Sequence, residues 1–273
     1  MSPATAAGDA EGRGAGGGAG VGAKGGAGGG LDGPAGLDGL TIAVPRGALF
    51  KETVALLRAL GLDTGELASN DRKLLFEDIG VITMRPSDVP TYVEAGSADI
   101  GITGKDVLLE RGGRTSDYSV RERGRRQLYE LLDLTYGRCV MVFATADRQN
   151  DQGEDPGREA LRRLGVMRVA TKYPRIAAGY LEETGRQGEI VEVKGSVELA
   201  PLTGLADAIV DLTATGATLR ENGLVVREEI VACTARLIAN PVSYKLRAPA
   251  IDKLLERLPA AVAAVSGGGG AGS

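Results

Sequence analysis

The sequence predicts an α/β fold in which helices cover both faces of mostly parallel sheets. Short β-branched and apolar runs alternate along the chain with segments whose apolar residues recur at helical spacing. Repeated strand and helix units of this kind favour parallel strands joined by helical crossovers. Glycine and proline between the runs mark the ends of the elements.

Each predicted element follows from a local pattern. Residues 48–60 place their leucines on one helical face, while Ser87 is expected to cap a helix that tolerates Pro90 in its first turn and ends at Gly96. The predicted strands are, in order, residues 41–44, 81–84, 98–103, 131–144, 168–171, 190–193 and 208–212. The predicted helices are residues 48–60, 87–94, 105–109, 174–183 and 196–202.

Composition sets the limits of the folded part. Residues 1–38 are almost wholly glycine and alanine, which lack the apolar side chains that would offset the ordering of the backbone, so we expect a disordered tail. The folded unit is expected to run from Leu40 to about Leu258. Residues 111–127, rich in arginine, and residues 147–159 are expected to form surface loops.

Several functional classes are disfavoured by charge and hydropathy. A net charge of −4 gives no overall attraction to nucleic acid or to an anionic membrane. No apolar run reaches the roughly 18 residues of a membrane span, and no export signal is evident, so we expect a cytoplasmic protein. Cys139 and Cys233 lie in apolar runs and are expected to be buried, reduced thiols.

The chain contains no histidine, which restricts its chemistry. A Ser/His/Asp or Cys/His nucleophile system and a histidine-ligated zinc site are therefore excluded. The groups left for catalysis are carboxylates, lysine, arginine, hydroxyls and backbone amides, with or without a magnesium ion.

The segment from Ala208 to Leu219 combines an apolar strand, an acid and a Thr/Gly loop. The strand would fix Asp211 at its carboxyl end, and Thr215 to Thr218 would then offer backbone N–H groups and hydroxyls to a phosphate. Gly216 would permit close approach of the backbone. A phosphorylated sugar is one interpretation, and a polar turn after a buried strand is the other.

Seven blocks of sequence, in the same order along the chain, resemble the short form of the ATP phosphoribosyltransferase family. They are VPRGAL at 44–49, RPSDVPTYVEAG at 85–96, ADIGITGKDVL at 98–108, ELLDL with YGRC at 130–139, RVATKYP at 168–174, GSVELAPLTGLADAIVDL at 195–212 and TGATLRENGL at 215–224. The resemblance implies a two-lobed fold like that of type II periplasmic binding proteins, with two crossings between lobes and the substrates in the cleft. Lobe I would comprise residues 39–136 and 225–260, lobe II residues 137–224, and residues 261–273 a flexible tail.

This resemblance also implies the reaction and its residues. The phosphoribosyl group of phosphoribosyl pyrophosphate would pass to N1 of ATP, with release of pyrophosphate in the presence of Mg²⁺. Glu198 and Asp211 would be the catalytic acids and would hold Mg²⁺, directly or indirectly. The loop for phosphoribosyl pyrophosphate would be Thr213, Ala214, Thr215, Gly216, Ala217, Thr218 and Leu219. The ATP side would be Arg46, Gly47, Arg72, Arg85, Thr171 and Tyr173.

Structural alternatives stay open for these residues. Glu198 could instead be an acid that stabilises a helix N-terminus, and Arg72, Arg85, Thr171 and Tyr173 could form salt bridges or packing contacts.

The chain also departs from the family pattern. Thr213 and Ala214 replace a common Val-Ser, and Ala48 replaces a common arginine.

The resemblance further implies a separate regulatory subunit that resembles histidyl-tRNA synthetase, in a hetero-octamer, and histidine feedback through that subunit.

The sequence disfavours two alternative functions. A non-catalytic bilobal sensor is disfavoured because no export signal or helix-turn-helix segment is evident. Another purine or pyrimidine phosphoribosyltransferase is disfavoured because Val210, not a second acid, precedes Asp211.

Overall fold

The computed structural model describes residues 37–112, 128–147 and 166–267. Its strands are β1 (Ile42–Pro45), β2 (Leu75–Phe76), β3 (Val81–Met84), β4 (Ile100–Gly104), β5 (Tyr129–Asp133), β6 (Cys139–Ala146), β7 (Met167–Thr171), β8 (Gly188–Glu192), β9 (Ala208–Thr213), β10 (Leu224–Cys233) and β11 (Ala235–Ala239). Its helices are α1 (Phe50–Ala59), α2 (Gly65–Ser69), α3 (Val89–Ala95), α4 (Lys105–Gly112), α5 (Pro174–Glu183), α6 (Leu199–Leu202), α7 (Ala217–Glu221), α8 (Pro241–Leu246) and α9 (Ala248–Gly267), with a 3₁₀ turn at Glu77–Ile79.

The first sheet has six strands in the order β2-β3-β1-β4-β11-β5. β1 lies between β3 and β4 and is parallel to both. All of its residues are buried, because the strand has neighbours on both edges and helices on both faces. Ile42 and Val44 pack against α1 and α9, whereas Ala43 packs against α3 on the opposite face. We call this sheet and its helices lobe I.

The second sheet has five strands in the order β10-β6-β9-β7-β8. β9 is parallel to β7 and antiparallel to β6. Val210 packs with α5 on one face, and Ile209 packs with α6 and α7 on the other. We call this sheet and its helices lobe II. The two sheets confirm the two-lobed α/β fold expected from the sequence.

The chain crosses between the lobes at two places. Residues 134–138 join β5 to β6, and because Leu134 and Tyr136 still pack in lobe I, the crossing itself is Gly137 and Arg138. Thr234 alone joins β10 to β11. The sequence placed residues 225–233 in lobe I, but they belong to β10 and pair with β6 in lobe II. The predicted single run 131–144 is likewise divided by a crossing into β5 and β6.

The prediction of mostly parallel sheets is wrong in detail, because each sheet contains both parallel and antiparallel pairs. The pairs made by β5, β6, β10 and β11 are antiparallel because the chain enters or leaves a lobe there without a helical crossover, and β2 and β3 are antiparallel because only a short turn joins them. The predicted cap at Ser87 is also wrong. The helix begins at Val89, and the Ser87 hydroxyl donates to the Asp88 carboxylate at 3.2 Å instead of capping an amide.

The folded part of the chain extends further at both ends than the sequence predicts. Leu37 is 2% exposed and belongs to the core of lobe I, so the predicted tail boundary at residue 38 cuts into folded structure. At the other end, Ala261 and Val262 are buried on α9, which continues to Gly267. These residues pack because α9 presents one apolar face to α1 along its length.

Three predictions lie mainly outside the described residues. They concern the glycine-rich segment before residue 37, most of the arginine-rich segment 111–127 and most of the segment 147–159. Within the described part, no helix combines the length and the apolar character that crossing a membrane requires.

Candidate active site

Asp211 lies near the end of β9, in the middle of the second sheet, and is 6% exposed. Its Oδ1 accepts a hydrogen bond from the backbone amide of Leu212 at 2.8 Å. Burial raises the pKa of Asp211, and it outweighs the nearby positive charge of Lys172. Glu198 adds a negative charge that raises this pKa further. A buried carboxylate is therefore held near the carboxyl end of β9 in lobe II.

Among the described residues, Lys172 is the cation that pairs with this carboxylate. Its Nζ lies 3.8 Å from Asp211 Oδ1, and its side chain is 43% exposed. The pairing follows from the topology, because β7 and β9 are parallel and their carboxyl ends meet at one edge of the sheet. Sequence reasoning missed Lys172, although it lies between Thr171 and Tyr173, which were both considered.

The loop after β9 presents backbone amides. Gly216 has φ of +72°, a left-handed conformation that favours glycine, and α7 begins directly after it. The Gly216 amide donates to Thr213 Oγ1 at 2.8 Å, and the Ala217 amide donates to Thr215 Oγ1 at 3.3 Å. The hydroxyls of Thr213 and Thr215 therefore stabilise the loop conformation through hydrogen bonds inside the loop.

Four other amides of the loop remain available. The N–H groups of Ala214, Thr215, Thr218 and Leu219 donate to no acceptor in the described part of the chain. Arg220, which sequence reasoning did not single out, donates to the Thr215 carbonyl at 3.1 Å and brings a positive charge to the loop. The arrangement suits an anion, because these amides and a guanidinium lie close together along the chain.

Glu198 directly precedes α6, but its side chain caps no amide of that helix. α6 has only four residues, so its dipole is small. Neither observation favours the alternative in which Glu198 merely stabilises a helix. The charge of Glu198 contributes to the raised pKa of Asp211.

The residues predicted for the ATP side are more scattered. The Arg46 guanidinium donates to Asp71 Oδ1 at 3.0 Å and to the carbonyls of Asn70 and Lys73 at 3.2 and 3.1 Å. It also stacks over the Phe50 ring at 4.4 Å. Arg46 therefore holds the segment before β2 in place, which supports a structural role.

Gly47, Arg72 and Arg85 are exposed, and in the described residues none of them lines the cavity between the lobes. Thr171 is fully buried. Its hydroxyl donates to the Val210 carbonyl at 2.6 Å and accepts from the Tyr173 amide at 2.9 Å. The Thr171 hydroxyl is thus used within lobe II and connects β7 to β9.

Tyr173 reaches across the cleft to lobe I. Its hydroxyl donates to Asp106 Oδ2 at 3.3 Å, and burial together with the charges of Asp106 and Asp211 raises its pKa. Asp106 is itself mostly buried, and this burial raises its pKa. A Cβ at Gly104 would lie 2.0 Å from Asp106 Oδ1, so a larger residue there would have to displace this carboxylate.

A cavity of about 490 Å³ lies between the lobes. Lobe I lines it with Glu52 and Asp106, lobe II with Thr213 and Ala214, and the first crossing with Arg138. Arg138 is exposed and forms no ion pair with any residue that the structure describes. Sequence reasoning missed Glu52, Asp106 and Arg138, since only the fold brings them together.

A second contact joins the lobes beside the cavity. The Glu110 carboxylate on α4 accepts hydrogen bonds from the amides of Arg175 and Ile176 at 3.0 and 3.1 Å. An acid from lobe I thus caps the first turn of α5 in lobe II. Asp106 and Glu110 are one helical turn apart, so both contacts come from one face of α4.

Several known proteins are similar to this chain in sequence and in structure. The HisG family model, described as ATP phosphoribosyltransferase, matches residues 85–260. The ATP phosphoribosyltransferase of Rubrobacter xylanophilus is 50% identical over 219 residues, which cover 80% of this chain and 94% of that protein. That of Bacillus subtilis is 43% identical over 223 residues, which cover 80% and 93%. The solved ATP phosphoribosyl transferase (HisG:HisZ) complex from Thermotoga maritima shows 34% identity and a TM-score of 0.62, and the match covers 82% of this chain and 98% of that one. The chain belongs to the ATP phosphoribosyltransferase family.

Proposed function

We propose that this chain transfers the phosphoribosyl group of phosphoribosyl pyrophosphate to N1 of ATP, releasing pyrophosphate, as the first step of histidine biosynthesis. The observation that carries the proposal is the buried Asp211 carboxylate beside the amide-presenting loop 213–219, at the edge of the interlobe cavity. An acid and an anion site at this spacing suit the ribose and the 5-phosphate of one substrate.

In the reaction, the bond from ribose C1 to the pyrophosphate oxygen breaks, and its electron pair leaves with pyrophosphate. The lone pair of adenine N1 forms the new bond to C1. Positive charge develops on the ribose between these events, so fixed carboxylates close to the sugar lower the barrier. We assign this role to Asp211 and Glu198. No side chain has to remove a proton from N1, which is compatible with a chain that lacks histidine.

The remaining groups bind and orient the substrates. We assign the 5-phosphate to the amides of Thr213 to Leu219, with Gly216 giving the backbone its turn. Arg138 on the first crossing and Lys172 beside Asp211 supply positive charge and would face the pyrophosphate. Because Arg46 is bound to the segment 70–73, we place it behind the ATP site as a support.

A magnesium ion fits this donor set only together with the substrate. The described residues contain no group of three His, Cys, Asp or Glu side chains that could hold a metal. Mg²⁺ commonly uses one or two carboxylates plus substrate phosphates, and Asp211 with Glu198 meets that requirement. The ion would supply charge to neutralise the pyrophosphate oxygens.

We further propose a regulatory partner that resembles histidyl-tRNA synthetase, in a hetero-octamer. The support is that the similar Thermotoga maritima chain was solved in a HisG:HisZ complex. Allosteric inhibition requires a site distinct from the cleft, and we assign that histidine site to the partner. We therefore expect histidine to inhibit the complex but not the single chain. Titration calorimetry of the single chain with histidine tests this, and tight binding with inhibition would contradict it.

The proposed reaction has a direct assay. The purified chain, alone and with its partner, is mixed with ATP, phosphoribosyl pyrophosphate and Mg²⁺, and formation of phosphoribosyl-ATP is followed by ultraviolet absorbance. We expect product only when both substrates are present. Binding of both substrates without product would favour the non-catalytic bilobal alternative. Product with another purine or pyrimidine base in place of ATP would favour the other phosphoribosyltransferases.

A further inference from the structure

We propose that Cys139 and Cys233 form a reversible disulfide that ties together the two crossings between the lobes and lowers the activity of the enzyme. The structural part of this inference stands on the strand pairing, and the effect on activity rests on the proposed function. Cys139 is the first residue of β6 and directly follows the crossing at 137–138. Cys233 is the last residue of β10 and directly precedes the crossing at Thr234.

The register of the second sheet brings the two cysteines together. β6 and β10 are antiparallel, and Cys139 is directly opposite Cys233 in the last pair of the ladder. Residues directly opposite in such a ladder have Cα atoms about 4.5–5.5 Å apart, within the roughly 4.4–6.8 Å that disulfides span. The backbone therefore needs no large movement to join the sulfur atoms.

Two irregularities in β10 create this register. At the start of the ladder Leu224 pairs with Ala146, and the register shifts between Val226 and Glu228 and again between Glu229 and Val231. Each shift inserts one residue into β10, and without both of them Cys139 would face Val231. The cysteine pair is thus a product of the fold that spacing along the sequence does not reveal.

The two thiols differ in exposure and acidity. Cys139 is partly exposed and lines the cavity, whereas Cys233 is 1% exposed. The expectation that both are buried is therefore wrong for Cys139. A hydrogen bond from the Cys233 thiol lowers the pKa of Cys139 and raises that of Cys233. Cys139 is consequently the attacking thiolate and Cys233 the second, resolving thiol.

The chemistry requires an oxidant of the small-molecule disulfide class. The Cys139 thiolate attacks one sulfur of that disulfide, which releases one thiolate and leaves a mixed disulfide on Cys139. The Cys233 thiol loses its proton and attacks Cys139 sulfur, which releases the second thiolate. In balance, two protein thiols are oxidised to one disulfide, and one small-molecule disulfide is reduced to two thiols.

Oxidation is expected to affect the reaction because both cysteines line the cavity beside Thr213 and Ala214. A covalent bond between the two crossings would restrict the movement by which two lobes close on substrates. Since small displacements of reacting groups cost up to about 10²-fold in rate, we expect turnover to fall by about tenfold or more.

The test uses the full chain, with and without its regulatory partner, equilibrated in glutathione buffers of increasing oxidation. Intact mass and peptide mapping follow the thiols, and hydrogen exchange of the crossings at 137–138 and Thr234 follows the restraint. We expect loss of two hydrogens from the mass without a glutathione adduct, slower exchange at both crossings and lower turnover. Dithiothreitol is expected to reverse all three.

Single variants separate the two thiols, and each is compared with its own reduced form. Cys233→Ser is expected to accumulate a glutathione adduct on Cys139, and Cys139→Ser is expected to remain unmodified. A stable adduct in the wild-type chain, an unchanged mass, or a disulfide that leaves exchange and turnover unaltered would overturn the proposal. A reduced chain without transferase activity counts instead against the proposed function, because mass and exchange still report on the disulfide.

Discussion

The two walls of the cleft differ in how their polar groups are used. On the lobe II wall, residues 211–219, loop amides remain without acceptors in the described part of the chain, and Asp211 is buried with its pKa raised. On the lobe I wall, the Arg46 guanidinium is already bound by Asp71 and two carbonyls. One wall is organised to receive a ligand, and the predicted cation of the other is engaged in holding its own lobe together.

The difference shows which kinds of motif can be interpreted from sequence alone. Backbone amides in a turn are positioned by their immediate neighbours, so the loop after β9 could be predicted from a few residues. A long arginine side chain can reach many acceptors, and its partner depends on which distant segment the fold brings near. The four experiments that follow test this contrast, in decreasing order of expected effect.

Gly216→Val is expected to abolish detectable binding of phosphoribosyl pyrophosphate and to affect ATP binding less. A β-branched residue is strained at φ of +72°, and its Cβ would lie 3.1 Å from Arg220 Nη1. Titration calorimetry with each substrate measures the effect. Gly223→Val is the matched control, because Gly223 has φ of +64° with open space around it, at the far end of α7. Equal loss of binding in both variants would attribute the effect to strain in α7 rather than to the loop.

Asp211→Asn is expected to lower turnover by about 10²- to 10³-fold, by analogy with removal of one preorganised electrostatic group. The same variant is expected to be at least as stable as the wild type at neutral pH. The pKa of Asp211 is raised in the folded state, so its ionisation costs stability as the pH rises through that value.

Steady-state kinetics and thermal unfolding between pH 4 and 8 measure both effects of this variant. We expect its stability advantage to shrink as the pH falls and the wild-type carboxyl becomes protonated. Glu221→Gln, at an exposed position on α7, is the control for loss of one negative charge. If Asp211→Asn turned over substrate at the wild-type rate, Asp211 would have no role in the active site.

Arg46→Lys is expected to reduce the free energy of unfolding by about 1–3 kcal/mol, because lysine cannot reproduce the guanidinium contacts with the segment 70–73. ATP affinity is expected to change less than stability. Urea denaturation and ATP calorimetry compare the two quantities. Arg227→Lys, at an exposed position in lobe II, is the control. Intact stability with a large loss of ATP affinity would instead place Arg46 on the nucleotide phosphates.

Glu110→Ala is expected to cost about 0.5–2 kcal/mol of stability, because the amides of Arg175 and Ile176 lose their acceptor. Glu110→Gln should lose less, since its carbonyl oxygen can still accept one of these bonds. Denaturant unfolding of both variants, with exposed Glu182→Gln as control, measures the order of the effects. Equal stability of all three would mean that this contact between the walls contributes nothing.

The amino-acid sequence by itself determined much of lobe II. Apolar alternation located β9, and the predicted helix 174–183 agrees with α5 in both bounds. The acid at the end of β9 and the glycine that turns the following loop were likewise evident. These features depend on residues that are close along the chain, where propensity and turn chemistry act directly.

Only the tertiary structure decided which groups meet across distance. β10 was not predicted, because its charged and apolar residues follow the irregular register of a bulged edge strand. That same register sets Cys233 opposite Cys139, while parallel pairing brings Lys172 to Asp211 and the two crossings bring Tyr173 to Asp106. Such contacts depend on strand order, register and lobe closure, which local patterns in the sequence do not encode.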